Sequence, residues 1–259
     1  MPLLETFGLS EHKINLLLML YEGPKNKNMI LESLGISSQA LVPTIRMLEH
    51  NNIIIHHDGT YGLTSIGKIA VDEMIPFLQT LEFLESNIDY LAQHKLGFIP
   101  FDLLKRIREL CPYKIMRPHF SEVFEFNKVL EETTDSSKSF RIVTSLLLPS
   151  FTSFLSKWAD EGIEISMIVS EELLTKIRSE HLFFFKGLLH KGQIKIFVYP
   201  GDMCLQTLIL NDHCFSCNLL SKGGSISREQ LISCHPGALK WGKELFEYYK
   251  QYSAPVTLV

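Results

Sequence analysis

The chain has 259 residues, of which 46% are hydrophobic and 21% are charged, and its formal net charge is −4. The composition is ordinary for a globular protein, and the length suffices for one large domain or two small ones. The N-terminus has no signal-peptide pattern, and no apolar run is long enough to cross a bilayer. Five cysteines, an odd number, fit a reducing interior better than a disulfide framework, so we expect a cytoplasmic protein.

Three short helices are predicted in the first 50 residues. Ser10 can cap the first helix, and Gly23-Pro24 ends it. A second helix is expected over residues 28–34, after which Gly35 supplies a tight turn and Ser37 caps the third helix. Helical spacing of the apolar residues predicts which side chains are buried. In chain order these are Ile14, Leu17, Leu18, Tyr21, Ile30, Leu31, Leu34, Leu41, Ile45 and Leu48.

A β-hairpin is predicted directly after the third helix. Residues 53–56 and 60–63 are rich in strand-forming side chains, and Asp58-Gly59 between them is a strong two-residue turn signal. Thr64 can cap the helix that follows. Three helices and a hairpin in this order predict a winged helix-turn-helix domain over residues 1–70.

The solvent-facing side chains of the third helix are candidate DNA contacts. Gln39 can pair with adenine, Val42 can pack on a thymine methyl group, and Arg46 can reach guanine or phosphate. Pro43 removes one backbone donor and is expected to kink or loosen the first turns of the helix. The predicted DNA-binding residues, including one at the wing turn and one on the next helix, are Ser38, Gln39, Val42, Pro43, Arg46, His57 and Lys68.

The charge of residues 1–70 is unusual for a DNA-binding domain. Its five cations are Lys13, Lys25, Lys27, Arg46 and Lys68, and its six acids are Glu5, Glu11, Glu22, Glu32, Glu49 and Asp58. Because phosphate neutralisation supplies most non-specific DNA affinity, we expect weak binding per subunit that relies on dimerisation or on specific contacts. The alternative is a helix-turn-helix that only packs or dimerises. His56 and His57 flank the wing turn and either make a pH-tuned phosphate contact or are ordinary exposed strand residues.

A long helical region is predicted from about residue 66 to residue 110. Pro76 implies a kink or a break in it. We interpret residues 71–135 as a helical linker, which either pairs with a second copy or packs on its own sensor domain. Its expected buried positions are Ile69, Phe77, Leu81, Leu84, Ile88 and Leu91.

Residues 136–259 alternate strands and helices, which predicts an α/β effector-sensing domain with a mixed sheet. The expected strands are 140–147, 163–169, 194–199, 205–210 and 214–220, and the expected helices are 150–161, 171–190 and 236–252. Seven aromatic side chains either line a ligand pocket or form core. They are Trp158, Phe183, Phe184, Phe185, Phe197, Tyr199 and Trp241.

Cysteines and histidines near the C-terminus raise the question of a metal or redox site. They are Cys204, His213, Cys214, Cys217, Cys234 and His235. Cys214 and Cys217 fall on a predicted strand, where side chains three apart point to opposite faces, and this argues against chelation. We therefore expect no metal and no cofactor, while a cysteine-based redox or metal sensor stays open as an alternative.

No catalytic motif accompanies these residues. A phospholipase-D-like site needs a histidine followed two residues later by lysine, and the chain contains none. The nucleophile elbow, the P-loop and the zincin motif are also missing from the sequence. We expect that the protein is not an enzyme and name no catalytic residue.

The densest basic cluster comprises Lys105, Arg106, Arg108, Lys114 and Arg117. It can contact the flanks of a DNA site or an anionic effector. The alternative is a solvated face balanced by the acids Glu109 and Glu122.

Several stretches resemble known regulator families. LGISSQALVPTIRMLEHNNII and YGLTSIGK resemble the reading helix and wing junction of ArsR/MarR-like regulators. Residues 94–110, 205–221 and 235–253 resemble the methanogen transcription regulators with a FilR-type methanogenesis-regulator middle domain. This resemblance implies an archaeal winged-helix regulator with a C-terminal sensing domain, involved in methanogenic metabolism. We expect a homodimer whose partners are double-stranded DNA and an unidentified small-molecule effector. The C-terminal half also resembles, by fold analogy, the phospholipase-D-like sugar-sensor half of another archaeal regulator family.

Overall fold

The computed structural model describes residues 10–118 and 126–257. The chain forms two compact units, one reaching to Leu81 and the other beginning at Glu82. Within the described ranges, no helix combines the length and apolar character needed to cross a membrane. The fold is mixed α/β, and its large sheet combines parallel and antiparallel strands, as the sequence predicts.

The N-terminal unit consists of helices and one small antiparallel sheet. In chain order its elements are α1 (Glu11–Tyr21), β1 (Lys25–Asn26), α2 (Lys27–Leu34), α3 (Ser38–His50), β2 (Ile54–His57), β3 (Thr60–Leu63) and the first part of α4 (Ser65–Gln93). The strand order is β1-β3-β2. β1 was not predicted, because two residues carry no periodicity.

Burial in this unit confirms the prediction for α3, where Leu41, Ile45 and Leu48 are all buried. In α1 the prediction is only partly right. Leu17 is buried, but its buried neighbours are Leu16 and Leu20. Tyr21 is exposed, and its hydroxyl donates a hydrogen bond to Asp72 instead of entering the core.

The predicted helical region from residue 66 to residue 110 is too long. α4 runs from Ser65 to Gln93 without a break at Pro76, and this helix ends at Gln93. A short helix α5 (Phe101–Leu104) and a 3-10 turn (Ile107–Leu110) follow. Four predicted core positions of α4 are exposed, namely Ile69, Phe77, Leu84 and Ile88, whereas Leu91 is buried as expected. Helical spacing identified an apolar stripe, but spacing alone does not say what covers it.

The C-terminal unit is built around an eight-stranded sheet with the order β11-β7-β6-β5-β8-β9-β10-β4. Strands β5, β6 and β7 pair in parallel, and the other pairs are antiparallel. The strands are β4 (Lys114–Met116), β5 (Ser139–Thr144), β6 (Glu164–Ser170), β7 (Ile194–Tyr199), β8 (Leu205–Asn211), β9 (Phe215–Leu220), β10 (Ile226–Ser233) and β11 (Ala254–Pro255). The helices are α6 (Lys128–Asp135), α7 (Phe151–Asp160), α8 (Glu171–Glu180), α9 (Leu182–His190) and α10 (Pro236–Gln251).

Successive strand residues belong to different apolar clusters on the two faces of this sheet. Ile142 and Met167 pack in the cluster that contains Trp158, whereas Val143 and Ile168 pack in the cluster that contains Trp241. This alternation follows from the period of two in a β-strand. Both tryptophans are fully buried core, while Phe183 from the same predicted aromatic set is 90% exposed.

The sequence predicted cysteines without a disulfide framework, as in a reducing interior, but two of them are paired. Cys214 and Cys234 form a disulfide. Cys214 and Cys217 lie in different apolar clusters, which confirms the argument that strand geometry separates them. Burial raises the pKa of the Cys217 thiol to about 12, because the apolar surroundings solvate the thiolate poorly. In the described part of the chain, no group of three or more His, Cys, Asp or Glu is placed to hold a metal ion.

Candidate nucleic-acid interface

The turn before α3 is fixed by glycine conformation and by helix capping. Gly35 adopts a left-handed backbone conformation with φ of 63°, which residues other than glycine adopt only at a cost in free energy. Ser37 then caps α3, since its Oγ accepts a hydrogen bond from the Ala40 backbone N–H at 3.3 Å. α3 therefore begins at a defined residue, and its side-chain directions are set from that point.

One face of α3 is open to solvent. Gln39, Pro43, Arg46 and His50 are exposed and recur at i, i+4, i+7 and i+11, opposite the buried Leu41–Ile45–Leu48 stripe. Sequence reasoning missed His50, although its spacing from Arg46 continues the same stripe. The predicted contacts Ser38 and Val42 are half-buried and flank this face. The exposed face is therefore narrower than predicted and one turn longer.

Pro43 lies inside α3, and the helix continues through it from Ser38 to His50. The helix does not break at this residue. Proline lacks the N–H that would bond the carbonyl four residues earlier, so the Gln39 carbonyl has no intrahelical donor from position 43. Gln39 presents its side-chain amide on the exposed face.

The hairpin after α3 has the turn that its sequence predicts. Asp58 and Gly59 both have positive φ values, 48° and 74°, as a two-residue primed turn requires. His57 pairs with Thr60 across the ladder, and the His57 and Asp58 side chains approach to 2.9 Å. His56 stacks on Tyr61 with ring centroids 4.5 Å apart. The hairpin tip is exposed, but the Asp58 carboxylate lies beside the His57 side chain there.

The junction between hairpin and α4 is held by one threonine. Thr64 Oγ donates to the Asn52 carbonyl at 2.6 Å and accepts from the Gly67 N–H at 3.0 Å, as the predicted cap should. A Cβ at Gly67 would lie 2.0 Å from the Ile53 carbonyl oxygen, so this close approach requires glycine. Lys68 follows on the exposed side of α4.

Positive charge on this unit is sparse but available. Neither Arg46 nor Lys68 forms an ion pair with any residue in the described ranges, and both are exposed. Arg46 is the one Lys or Arg in the sequence of α3. A face with one free guanidinium and one amide can make base-edge contacts but neutralises few phosphates.

The basic cluster of the C-terminal unit is largely paired. Arg106 hydrogen-bonds Glu244 and lies 3.5 Å from Glu109, as the solvated-face interpretation expects. Arg117 Nε donates to Glu229 Oε1 at 2.6 Å. Glu122, the other acid expected to balance the cluster, lies outside the described residues.

Comparison with protein families matches most of the chain. The N-terminal domain of methanogenesis regulatory protein FilR1 matches residues 2–82, and the middle domain of the same protein matches residues 123–252. A curated relative, the methanogenesis regulatory protein FilR1 of Methanothrix harundinacea (strain 6Ac), is 22% identical over 253 residues. That alignment covers 96% of this chain and 57% of the relative, so the chain spans little more than half of the relative's length.

The similarity of this chain to solved structures is weaker than its match to the family. TrmBL2, described as an archaeal chromatin protein with a novel mode of DNA binding, has 13% identity and a TM-score of 0.43, over 96% of this chain and 95% of its own. Phosphatidylserine synthase of Haemophilus influenzae Rd KW20 has 12% identity and a TM-score of 0.39, over 49% of this chain and 36% of its own. Scores at this level do not establish a shared fold.

The family match rests on sequence and covers residues in both units. The middle-domain model alone covers half of the chain, and the N-terminal model covers α1 to α3 and the hairpin. The matched relative is named a regulatory protein, which agrees with the expectation that the chain is not an enzyme. On these matches, the chain belongs to the family of the methanogenesis regulatory protein FilR1.

Proposed function

We propose that the chain is a DNA-binding transcription regulator linked to methanogenic metabolism, which acts in the cytoplasm as an effector-responsive homodimer. The observation that carries this proposal is the exposed Gln39–Pro43–Arg46–His50 face on a helix that is capped at its start and followed by a hairpin. In this proposal residues 1–70 are a winged helix-turn-helix, residues 71–135 link and dimerise, and residues 136–259 sense the effector.

DNA reading is proposed to occur through α3 in the major groove. An α-helix fits that groove, where a glutamine side chain pairs with adenine and an arginine pairs with guanine or phosphate. Gln39 and Arg46 supply those groups, His50 extends the contact by one turn, and Ser38 and Val42 touch the groove edge. Pro43 packs between Gln39 and Arg46 as an apolar contact. His57 and Lys68 are proposed to contact the phosphate backbone on either side.

Dimerisation is proposed to occur through α4. Within the N-terminal unit, Ile66, Ile69 and Phe77 of this helix are exposed, and Ile69 is 67% exposed. Within the C-terminal unit, Leu84 and Ile88 of the same helix are also exposed. Large apolar side chains in a helical stripe favour burial against a partner, and a second copy of α4 offers a matching surface. A dimer compensates for the sparse charge, because two weak half-site contacts act together.

The test is gel retardation of a fragment from the gene's own promoter, compared with random DNA of equal length. We expect specific retardation at low salt and a shallow salt dependence, since few phosphates are neutralised. Arg46→Ala should weaken promoter binding, whereas Arg178→Ala on the exposed side of α8 should leave it unchanged. Equal retardation of random DNA, or none at any salt, would overturn the proposal in favour of a module that does not read DNA.

A second candidate function is a cysteine-based redox sensor. The Cys214–Cys234 disulfide favours it, because it joins a buried cysteine before β9 to an exposed cysteine before α10. A redox sensor predicts that dithiothreitol changes promoter affinity in the wild-type chain and leaves Cys234→Ser unaffected. Identical affinities with and without the reductant remove this candidate.

A further inference from the structure

The C-terminal unit contains a cavity of about 360 Å³ that takes no part in the proposed DNA contacts. Its lining comes from β8, β9 and β10, from the start of α6, and from residues 116–118. Its apolar walls include Phe126, Leu146, Leu148 and Ile209. None of the seven aromatic residues that the sequence suggested for a ligand pocket lines it. The volume is suitable for a small metabolite.

Three amide side chains in the lining hold one another in fixed orientations. Asn127 Nδ2 donates to Gln230 Oε1 at 2.8 Å, and Gln230 Nε2 donates to Asn218 Oδ1 at 3.3 Å. Asn218 Nδ2 in turn donates to the backbone carbonyl of Glu229 at 3.3 Å. Asn127 is also fixed from the other side, since its Oδ1 caps α6 by accepting from the Val129 N–H. This arrangement is preorganised before any ligand arrives.

A fourth amide in the lining lacks a partner. Gln206 is 9% exposed, and its Oε1 is buried without a hydrogen bond to any other group. A buried carbonyl oxygen without a donor is costly, and native structures satisfy almost all such groups. The side chain of Gln206 belongs to the cavity lining, so a ligand in the cavity can supply the missing donor.

The charged residues of the lining, within the part of the chain that the structure describes, are all cationic. Arg117 and Lys128 are its charged members, and among the described residues that line the cavity none carries a carboxylate. Lys128 is exposed and forms no ion pair within the described part of the chain. Arg117 uses its Nε for Glu229, which leaves the terminal N–H groups of the guanidinium for a second carboxylate.

We infer that this cavity binds a small organic acid, whose carboxylate is held by Lys128 and Arg117 and whose hydroxyl or amino group donates to Gln206 Oε1. The apolar walls cover the carbon skeleton of the acid, and the Asn127–Gln230–Asn218 amides offer it further hydrogen bonds. The inference rests on the proposed effector-responsive regulator and names the chemical class of its effector and the place where the effector binds.

The test uses the full chain without DNA and three hydroxy- or amino-acid probes, namely lactate, malate and glutamate. Thermal unfolding is followed at equal ionic strength, with sodium chloride, sodium sulfate and glucose as comparison solutes. We expect a saturable rise of at least a few degrees in the unfolding midpoint with at least one of the three acids. Lys128→Gln should weaken the apparent affinity about tenfold, whereas Lys240→Gln on the exposed side of α10 should not change it.

Gln206→Leu should also remove the shift, and Lys128→Gln keeps the test decisive if that buried variant fails to fold. No saturable shift with any of the three acids overturns the inference. So does an equal shift with sulfate or glucose, or an unchanged affinity in Lys128→Gln. DNA is absent from this experiment, so a negative result does not contradict the proposal that the chain binds a promoter. Conversely, a lack of promoter specificity would not contradict a measured affinity for an acid.

Discussion

The two units of the chain present their candidate binding groups in opposite ways. In the N-terminal unit, Gln39 and Arg46 stand on an exposed helix face above a single apolar core. In the C-terminal unit, Gln206 and its neighbouring amides line a cavity beside a sheet that is covered by apolar clusters on both faces. An exposed face suits a large flat partner such as a DNA groove, whereas a cavity suits a small ligand.

The largest expected effect separates the stability of the two units. Leu48→Ala should destabilise the N-terminal unit by about 2–5 kcal/mol, because Leu48 is fully buried there. Both tryptophans, Trp158 and Trp241, lie in the C-terminal unit, so tryptophan fluorescence follows that unit. We expect an unchanged fluorescence midpoint in Leu48→Ala and faster hydrogen exchange in α3.

The matched control is Leu208→Ala, which makes the same change at a fully buried position of the C-terminal sheet. It should lower the fluorescence midpoint and leave exchange in α3 as it was. If Leu48→Ala lowers the fluorescence midpoint as much as Leu208→Ala does, the two units unfold together and are not independent in stability.

A second effect concerns the disulfide, which belongs to the C-terminal unit alone. Cys234→Ser should lower the free energy of unfolding by about 3 kcal/mol under oxidising conditions, since the bridge closes a loop between residues 20 apart. Chemical denaturation with and without dithiothreitol measures this difference. Cys204→Ser, which removes a free thiol, should cost far less. If Cys234→Ser lowers the free energy of unfolding equally in the presence of reductant, the disulfide is not the cause of the lost stability.

A smaller effect tests the start of the reading helix. Ser37→Ala removes the cap of α3 and should destabilise the N-terminal unit by about 1 kcal/mol. Ser38→Ala, one residue further on, removes a hydroxyl that makes no capping bond and serves as the control. Hydrogen exchange at the first amides of α3 should rise in Ser37→Ala only. Equal exchange in the two variants would contradict the assigned helix start.

The smallest effect is a pH dependence in the C-terminal unit. Hydrogen bonds from Lys157 and from the Trp158 indole lower the pKa of Asp135 below its usual value. A carboxyl whose folded pKa is depressed stabilises the fold above its unfolded pKa of about 4, and that contribution is lost as the pH falls through the folded pKa. Asp135→Asn should therefore reduce stability at pH 7 and flatten the loss between pH 5 and pH 2. Parallel acid-unfolding curves for the two proteins would contradict this origin.

Local signals in the sequence predicted the N-terminal unit well. Ser37, Gly35 and Asp58-Gly59 act on neighbouring residues only, so the cap, the helix start and the hairpin follow from short patterns. The exposed stripe of α4 did not follow, because burial of Ile69 or Ile88 depends on which other element covers it. Strand β10 was missed because its sequence, ISREQLIS, alternates poorly and contains three charged or amide side chains in succession.

The cavity and the disulfide were beyond sequence reasoning for a different reason. Arg117, Lys128, Gln206 and Gln230 come together only when β10 has been placed beside β9 and α6 beside β8. Cys214 and Cys234 are brought together by the same antiparallel pairing of β9 with β10. Pairings over such separations leave no periodic mark in a single sequence.

A ratio of affinities for promoter and random DNA shows whether the exposed face of α3 reads DNA bases. Fluorescence anisotropy would give the affinities of the wild-type chain and of Gln39→Ala for the promoter fragment and for random DNA at one salt concentration. We predict that Gln39→Ala lowers the promoter-to-random ratio about tenfold, since one bidentate base contact contributes about 1–3 kcal/mol of discrimination, while affinity for random DNA stays the same. An unchanged ratio in Gln39→Ala would contradict this prediction.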